Sequence, residues 1–270
     1  SRNLPAGFAT VPRHGDLKEE TMLLEDRVAL VTGASRGIGA ASAKALARHG
    51  AAVGVNYFKS EAAAREVVSA IAAEGGRAVA LQGDARELAD LTALADDAEK
   101  ALGPVDTLVL NAHVSFAITP FVDHRWEDFE AKLIGELGAA FHACKVFVPR
   151  MLERQGGCII AVSSVLSRHP GQGFCAHATA KSGLDALMKS LALELGPAGI
   201  RVNVVAPGLT LTDATADQPE KSKQAVARMT PLRRNALADD VAGAVVMLAS
   251  DEARFVTGAY LPVSGGIQML

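Results

Sequence analysis

Residues Arg27–Gly39, RVALVTGASRGIG, decide the fold. The run Arg27–Gly33 is apolar and β-branched and ends in glycine, the pattern of a buried strand. Ala40–Gly50, AASAKALARHG, then shows helical spacing of its apolar residues and a glycine stop. Between them, the glycines of Thr32–Gly39 (TGASRGIG) permit a tight turn and a close backbone approach to a pyrophosphate. The helix N-terminus that follows offers unpaired N–H groups and a partial positive charge. Glycine spacing alone is a weak signal, because an ordinary strand-to-helix turn has it too. The strand before and the helix after make dinucleotide binding the stronger reading.

The same rhythm continues outward from this turn. AAVGVNY (51–57), AVALQGD (78–84), VDTLVLNA (105–112), CIIAVSS (158–164) and IRVNVVAPG (200–208) read as strands. SEAAAREVVSAIAAEGG, LADLTALADDAEKALG and the segment around Lys181–Leu195 read as helices, with DDVAGAVVMLAS and YLPVSGG near the end. Continuous apolar strands alternating with amphipathic helices imply an α/β, single-domain, doubly wound parallel sheet covered on both faces. The length of 270 residues suits one such domain, and no repeat or low-complexity linker divides it.

Composition narrows the function classes. Apolar residues make up 49% of the chain, and the net charge of −3 gives no electrostatic case for nucleic acid or an anionic membrane. Charged or Gly-rich turns interrupt every apolar run before it reaches spanning length. Cys144, Cys158 and Cys175 lack paired spacing, which suggests reduced thiols in a cytoplasmic protein and neither a disulfide framework nor a metal site. Ser1–Thr21 is polar and aperiodic without the apolar core of a secretory signal. Residues 1–24 are therefore set aside as a flexible arm or a remnant, with Met22 as a candidate start, and residues 25–270 as the folded domain. Leu209–Pro231, LTLTDATADQPEKSKQAVARMTP, breaks the rhythm just after a strand's C-terminal end, where ligands bind in open α/β sheets, and reads as a substrate lid. A surface loop with a short helix is the plainer alternative.

The glycine spacing departs from G-x-G-x-x-G and resembles the TGxxxGxG fingerprint of the short-chain dehydrogenase/reductase family, a Rossmann-fold family. The resemblance runs from about Arg27 to Gly266. Asp84, Asn111–Ala112, Ser164, Lys181 and Pro207–Thr212 (PGLTLT) follow in the family's order. It implies cofactor contacts from Gly33, Ser35, Arg36, Gly37, Ile38, Gly39, Asn56, Asp84, Ala85, Asn111, Ala112, Lys181, Pro207, Gly208, Thr210 and Thr212. An acid is expected at the end of the second strand for NAD. VNYFKS has Asn56 there and no carboxylate before Glu61, while Arg36 and Lys59 are available to a 2′-phosphate, so NADPH is favoured. The resemblance also implies a homo-oligomer, a tetramer or dimer built on the helices around Glu136 and Lys181.

The family's reaction uses a Ser–Tyr–Lys trio with a supporting Asn, in which serine positions the substrate oxygen, tyrosine exchanges the proton and lysine holds the nicotinamide ribose. Ser164 and Lys181 match. His177, in HATAK (177–181), occupies the Tyr position, Glu136 the Asn position, and His113 replaces a glycine of the family's NNAG run. Relatives that place the tyrosine seven residues before the lysine find no counterpart either, because that residue is Phe174. Tyr57 and Tyr260 lie far from the motif in sequence and offer no obvious substitute.

His177 and Lys181 are four apart, so a helix puts them on one face, toward the cleft. Lys181 disfavours imidazolium and lowers the His177 pKa. A Glu136 carboxylate close to either residue is expected to cancel part of that charge and raise the His177 pKa toward neutrality. Val114, Phe116, Phe121 and Trp126 suggest apolar pocket walls. The first reading is an NADPH-dependent reductase of a ketone or related carbonyl, using Ser164, His177, Lys181 and Glu136. Two alternatives stand beside it: non-redox dehydration, cyclisation or isomerisation on the same fold, and a cofactor-binding protein without turnover.

Overall fold

The computed structural model describes residues 22–269. The expectation for Ser1–Thr21 lies outside the described residues. Strands β1 (Val28–Val31), β2 (Ala52–Tyr57), β3 (Arg77–Gln82), β4 (Thr107–Leu110), β5 (Gly157–Val162) and β6 (Ile200–Pro207) alternate with helices. The first five connections carry α1 (Gly37–Arg48), α2 (Glu61–Ala73), α3 (Leu88–Leu102), α4 (Trp126–Glu153) and α5 (Cys175–Leu195). The chain closes with β7 (Thr210–Leu211), α6 (Glu220–Met229), β8 (Ala236–Leu237), α7 (Ala238–Ala249) and β9 (Tyr260–Val263).

Seven strands form one parallel sheet in the order β3-β2-β1-β4-β5-β6-β9, and β7 pairs with β8 in a small separate ladder. The doubly wound, Rossmann-type sheet read from the alternation is therefore present.

Successive strand residues point to opposite faces, and both faces are dry. Leu30, Leu108, Ile159 and Val204 join one core with Leu94 of α3, Phe147 of α4 and Met188 of α5. Their neighbours Val31, Val109, Ile160 and Val205 join the other with Leu46 of α1, Ile71 of α2 and Val245 of α7. Each such side chain contributes about 1.5–3 kcal/mol on full burial, which holds the helices of both layers against the sheet.

The domain starts earlier than residue 25. Leu24 is buried and its N–H donates to His49 O at 2.9 Å, so it is core and no part of an arm. The topological switch lies at β1, which is flanked by β2 and β4. The C-terminal ends of β1, β4, β5 and β6 deliver Gly33, Asn111, Ser163 and Gly208 to one edge, where open α/β sheets bind their ligands.

Candidate functional site

The turn after β1 needs glycine for two separate reasons. Gly33 and Gly37 have φ of +61° and +56°, a region that side chains disfavour. Gly39 is required by contact: a Cβ there would collide with Asn111 Nδ2 and lie 2.6 Å from Gly33 O. Asn111 Nδ2 donates to Thr32 O and Gly33 O at 2.9 and 3.0 Å, and Thr32 Oγ1 accepts from Asn111 N and Ala112 N. The turn is thus bolted to the end of β4. Helix α1 opens at Gly37 with no side-chain cap and no acidic residue in its first turn, which leaves its N–H groups for an anion. Ser35 is half-buried, and Ile38 packs on the core beneath.

Asn56 does a different job from the one expected. Its side chain is buried; Oδ1 accepts from Gly33 N at 3.0 Å and Nδ2 donates to Gly83 O at 3.0 Å. With both ends engaged it braces the glycine turn and is not free for a ribose. The exposed Arg36 instead reaches the loop after β2, where Nη2 donates to Ser60 Oγ at 2.5 Å. Lys59 Nζ lies 4.9 Å from the Phe58 ring centroid nearby. Asp84 is ion-paired to Arg86 at 2.5 Å, and that hydrogen bond outweighs burial to hold its carboxyl below the usual range. Ala85 beside it is buried.

Beyond Pro207, the last residue of β6, Gly208 N donates to Val263 O at 3.0 Å, and buried Thr210 donates from Oγ1 to Gly208 O at 3.1 Å. Thr212 stands over the glycine turn, its Cβ 3.6 Å from where a Cβ on Gly37 would lie. The lid segment contains β7 and the ten-residue helix α6, none of whose residues is buried.

The chemistry-bearing side chains gather between α4, α5 and the chain after β4. Glu136 lies at their centre with its side chain 1% exposed. Lys181 Nζ is 2.6 Å from Oε1, and Lys132 Nζ is 2.5 Å from Oε2. Lys181 also donates to Val162 O at 2.7 Å, tying the cluster to the end of β5. Burial alone would raise the Glu136 pKa, but Lys181 and Lys132 together outweigh it and hold the carboxyl well below the usual carboxylate range. Val114 N donates to Glu136 Oε2 at 3.2 Å, and His113 Nδ1 lies 3.7 Å from the same oxygen.

His177 is at the cleft wall, 8% exposed, stacked on Phe116 with centroids 4.5 Å apart and planes 13° off parallel. The His113 ring is 6.1 Å away, edge-on. The expected rise in the His177 pKa does not occur. Burial lowers it, Lys181 and Lys132 lower it further, and Glu136 offsets little, leaving it at about 3. Glu136 does touch Lys181, as the compensation required, but its charge is already shared between two lysines. His177 is consequently a neutral imidazole near pH 7.

Ser164 starts the short turn Val165–Ser167, its Oγ accepting from Leu166 N at 3.2 Å. Behind it, Tyr260 OH donates to Ser164 O at 3.1 Å and lies 3.2 Å from Ser167 Oγ. Tyr260 is therefore close to Ser164 in space although distant in sequence. It is buried and its hydroxyl is committed to bracing that backbone. Of the expected apolar walls, Val114 and Phe116 are at the site, whereas Phe121 and Trp126 are 79% and 64% exposed, on the surface. Burial pushes the thiols of Cys144 and Cys158 up to about 12 and about 11, which makes them inert packing groups.

Lys132 is the residue that sequence reasoning missed. Its spacing to Glu136 is i,i+4 on α4, but such a pair ordinarily marks a solvated helix face. Here both side chains are 1% exposed. Among the described residues no helix is long and apolar enough to cross a membrane.

The residues present fit a dinucleotide, given a cradle that a Cβ would fill and a bare helix N-terminus above it. Comparison with known proteins agrees with this architecture. Over residues 33–268 the chain matches the family model described as enoyl-(acyl carrier protein) reductase. It is 42% identical over 258 residues to an L-rhamnose 1-dehydrogenase (NAD(P)(+)) of Azotobacter vinelandii, covering 91% of this chain and 98% of that protein. It is 35% identical over 243 residues to a 3-oxoacyl-[acyl-carrier-protein] reductase of Staphylococcus aureus, covering 89% of this chain and 98% of the other. A solved 7α-hydroxysteroid dehydrogenase complexed with NADH and 7-oxo glycochenodeoxycholic acid superposes with a TM-score of 0.86 at 34% identity, covering 91% and 96% of the two chains. These relatives are oxidoreductases, and this chain, which matches the family model over residues 33–268 and shares the fold of the solved steroid dehydrogenase, belongs to the short-chain dehydrogenase/reductase family.

Proposed function

We infer that the protein is an NADPH-dependent reductase of a ketone or related carbonyl, working with an altered catalytic set. The observation that carries this reading is the placement of the Gly33–Gly39 cradle and the Lys181 ammonium on one sheet edge, at the ends of β1 and β5. The N–H groups of the cradle would hold the pyrophosphate, and Arg36 with Ser60 the 2′-phosphate. Lys181 would hold the nicotinamide ribose, and Ser164 would polarise the substrate carbonyl. The cofactor supplies the hydride. The activities of the named relatives and the NADH in the related steroid dehydrogenase support nicotinamide chemistry in this chain.

Non-redox chemistry with histidine and glutamate as acid and base is a weaker reading, because Glu136, the carboxylate it needs, is clamped by two lysines. The protein acts as a cytoplasmic homo-oligomer in this reading. Ile134 and Phe141 on α4, 65% and 50% exposed, would be covered by a second copy.

The test is a fluorescence titration with NADPH and NADH, followed by NADPH consumption over a panel of carbonyls. Tighter binding of NADPH and substrate-dependent consumption are expected. Binding without consumption over the panel would favour the cofactor-binding alternative, and product without consumption the non-redox one.

A further inference from the structure

The hydrogen bonds around Lys132 decide which histidine can deliver a proton. An ammonium has three N–H donors and no acceptor. Those of Lys132 meet Glu136 Oε2 at 2.5 Å, Val114 O at 2.7 Å and His113 Nδ1 at 3.2 Å. His113 Nδ1 therefore accepts, and the neutral ring carries its proton on Nε2. The Lys132 and Glu136 side chains are 1% exposed, whereas that of His113 is 38% exposed. His113 is the point at which this buried network opens to the cleft.

His177 lacks such a supply. A neutral imidazole that gives up one N–H must gain a proton at its other nitrogen or be left as a costly anion. The buried Nδ1 of His177 makes no hydrogen bond among the described residues, and its ring face is covered by Phe116. His113 has an ammonium at the corresponding position.

We propose that His113 is the substrate-facing proton donor of this site and that Lys132 supplies the proton through it. The proposal rests on the reductase reading. As the hydride reaches the carbonyl carbon, the carbonyl oxygen takes the proton from His113 Nε2. The Lys132 proton moves onto His113 Nδ1, so Lys132 becomes a neutral amine and the ring stays neutral. The nicotinamide is oxidised by two electrons and the carbonyl is reduced by the same two. Return of the Nδ1 proton to Lys132 and uptake of a water proton at Nε2 restore the resting state. His113 is thus a catalytic residue, and Lys132 a positioning residue that also supplies the proton.

The charges around Lys132 suit this role. Glu136, His113, Lys181 and His177 face it from α4, the chain after β4 and α5. Burial lowers the Lys132 pKa and Glu136 restores part of it, leaving it at about 8, close to the operating range of a general acid. Burial and Lys132 together hold His113 at about 4, so it does not become a fixed cation.

Two measurements test this, one without cofactor. Heteronuclear NMR of the histidine imidazoles in the full chain should show His113 as the Nε2–H tautomer near neutral pH. Lys132→Met should raise its titration by at least about one pH unit, since a cation beside the ring is gone. An Nδ1–H tautomer in the parent protein, or an unmoved titration in the variant, overturns the proposal.

In turnover, kcat should fall as pH rises through about 8. Lys132→Arg, which keeps the charge but cannot release a proton, should lose this limb and most of kcat while keeping the tautomer. His113→Ala should lower kcat by about 10²-fold or more, with NADPH affinity within about threefold and partial rescue by added imidazole, and His177→Phe should cost less than tenfold. A larger loss for His177→Phe than for His113→Ala overturns the donor assignment while the reductase reading stands. No NADPH turnover beside an intact NMR signature overturns the reductase reading, and the donor role with it.

Discussion

Glu136 and Lys181 meet at 2.6 Å, carboxylate to ammonium, with neither side chain more than 5% exposed. Lys132 closes on the other carboxylate oxygen, so two cations share one anion in a dry site. Breaking one side of a buried ion cluster is costly because the remaining charges are left without solvent or partner.

Glu136→Gln should therefore destabilise the fold by about 3–5 kcal/mol, since it leaves two buried ammonium groups facing each other. Adding Lys132→Met to that variant should recover part of the loss. Urea unfolding of the parent, single and double variants measures both effects.

Acid should destabilise the protein through its buried histidines. His177 folds with a pKa of about 3 against about 6.5 unfolded, so between those values the unfolded chain binds more protons. Stability then rises with pH across that window and is lost as pH falls through it. At pH 4.5, two units below the unfolded value, the His177 contribution to that loss is roughly 2–3 kcal/mol. His177→Phe should flatten the dependence of unfolding free energy on pH between about 3 and 6.5. An equally steep dependence in the variant would exclude His177 as its source.

Gly39→Ala should weaken NADPH binding while leaving the fold intact. The added methyl would displace Asn111 Nδ2 and the Gly33 carbonyl, a strain of about 1–3 kcal/mol at overpacked sites. Fluorescence titration should show about a tenfold or larger rise in Kd, with an unchanged circular dichroism spectrum.

Arg36→Ala should act on cofactor choice. Arg36 reaches Ser60 in the loop after β2, and a hydrogen bond to a charged group is worth about 1.5–3 kcal/mol. NADPH affinity should fall by about tenfold to a hundredfold and NADH affinity should not change. Equal losses for both cofactors would place Arg36 away from the 2′-phosphate.

The sheet was legible because its strands are continuous apolar runs closed by glycine or polar turns, a pattern that parallel strands covered on both faces require. The glycine turn was legible from the same stretch, and the order of Ser164 and Lys181 along the chain put both near the C-terminal end of β5, where they lie. Asn56 misled because position along a strand does not tell inward from outward at its last turn. Lys132 was invisible for a related reason: a Lys–Glu pair at i,i+4 looks the same on a wet helix face and in a dry cleft. The His177 pKa was lowered first by burial, which its place on the helix did not reveal, and then by Lys181. The hidden Lys132 lowers it further and also occupies part of the carboxylate expected to raise it.

The central proposal is that this chain, with His177 four residues before Lys181, transfers hydride to a carbonyl. Its most direct test incubates the protein with NADPH carrying deuterium at the transferred position and a panel of ketones, and reads the products by mass spectrometry. Retained transfer predicts an alcohol bearing one deuterium on its carbinol carbon. Saturable NADPH binding with no deuterated alcohol from any ketone of the panel would contradict it.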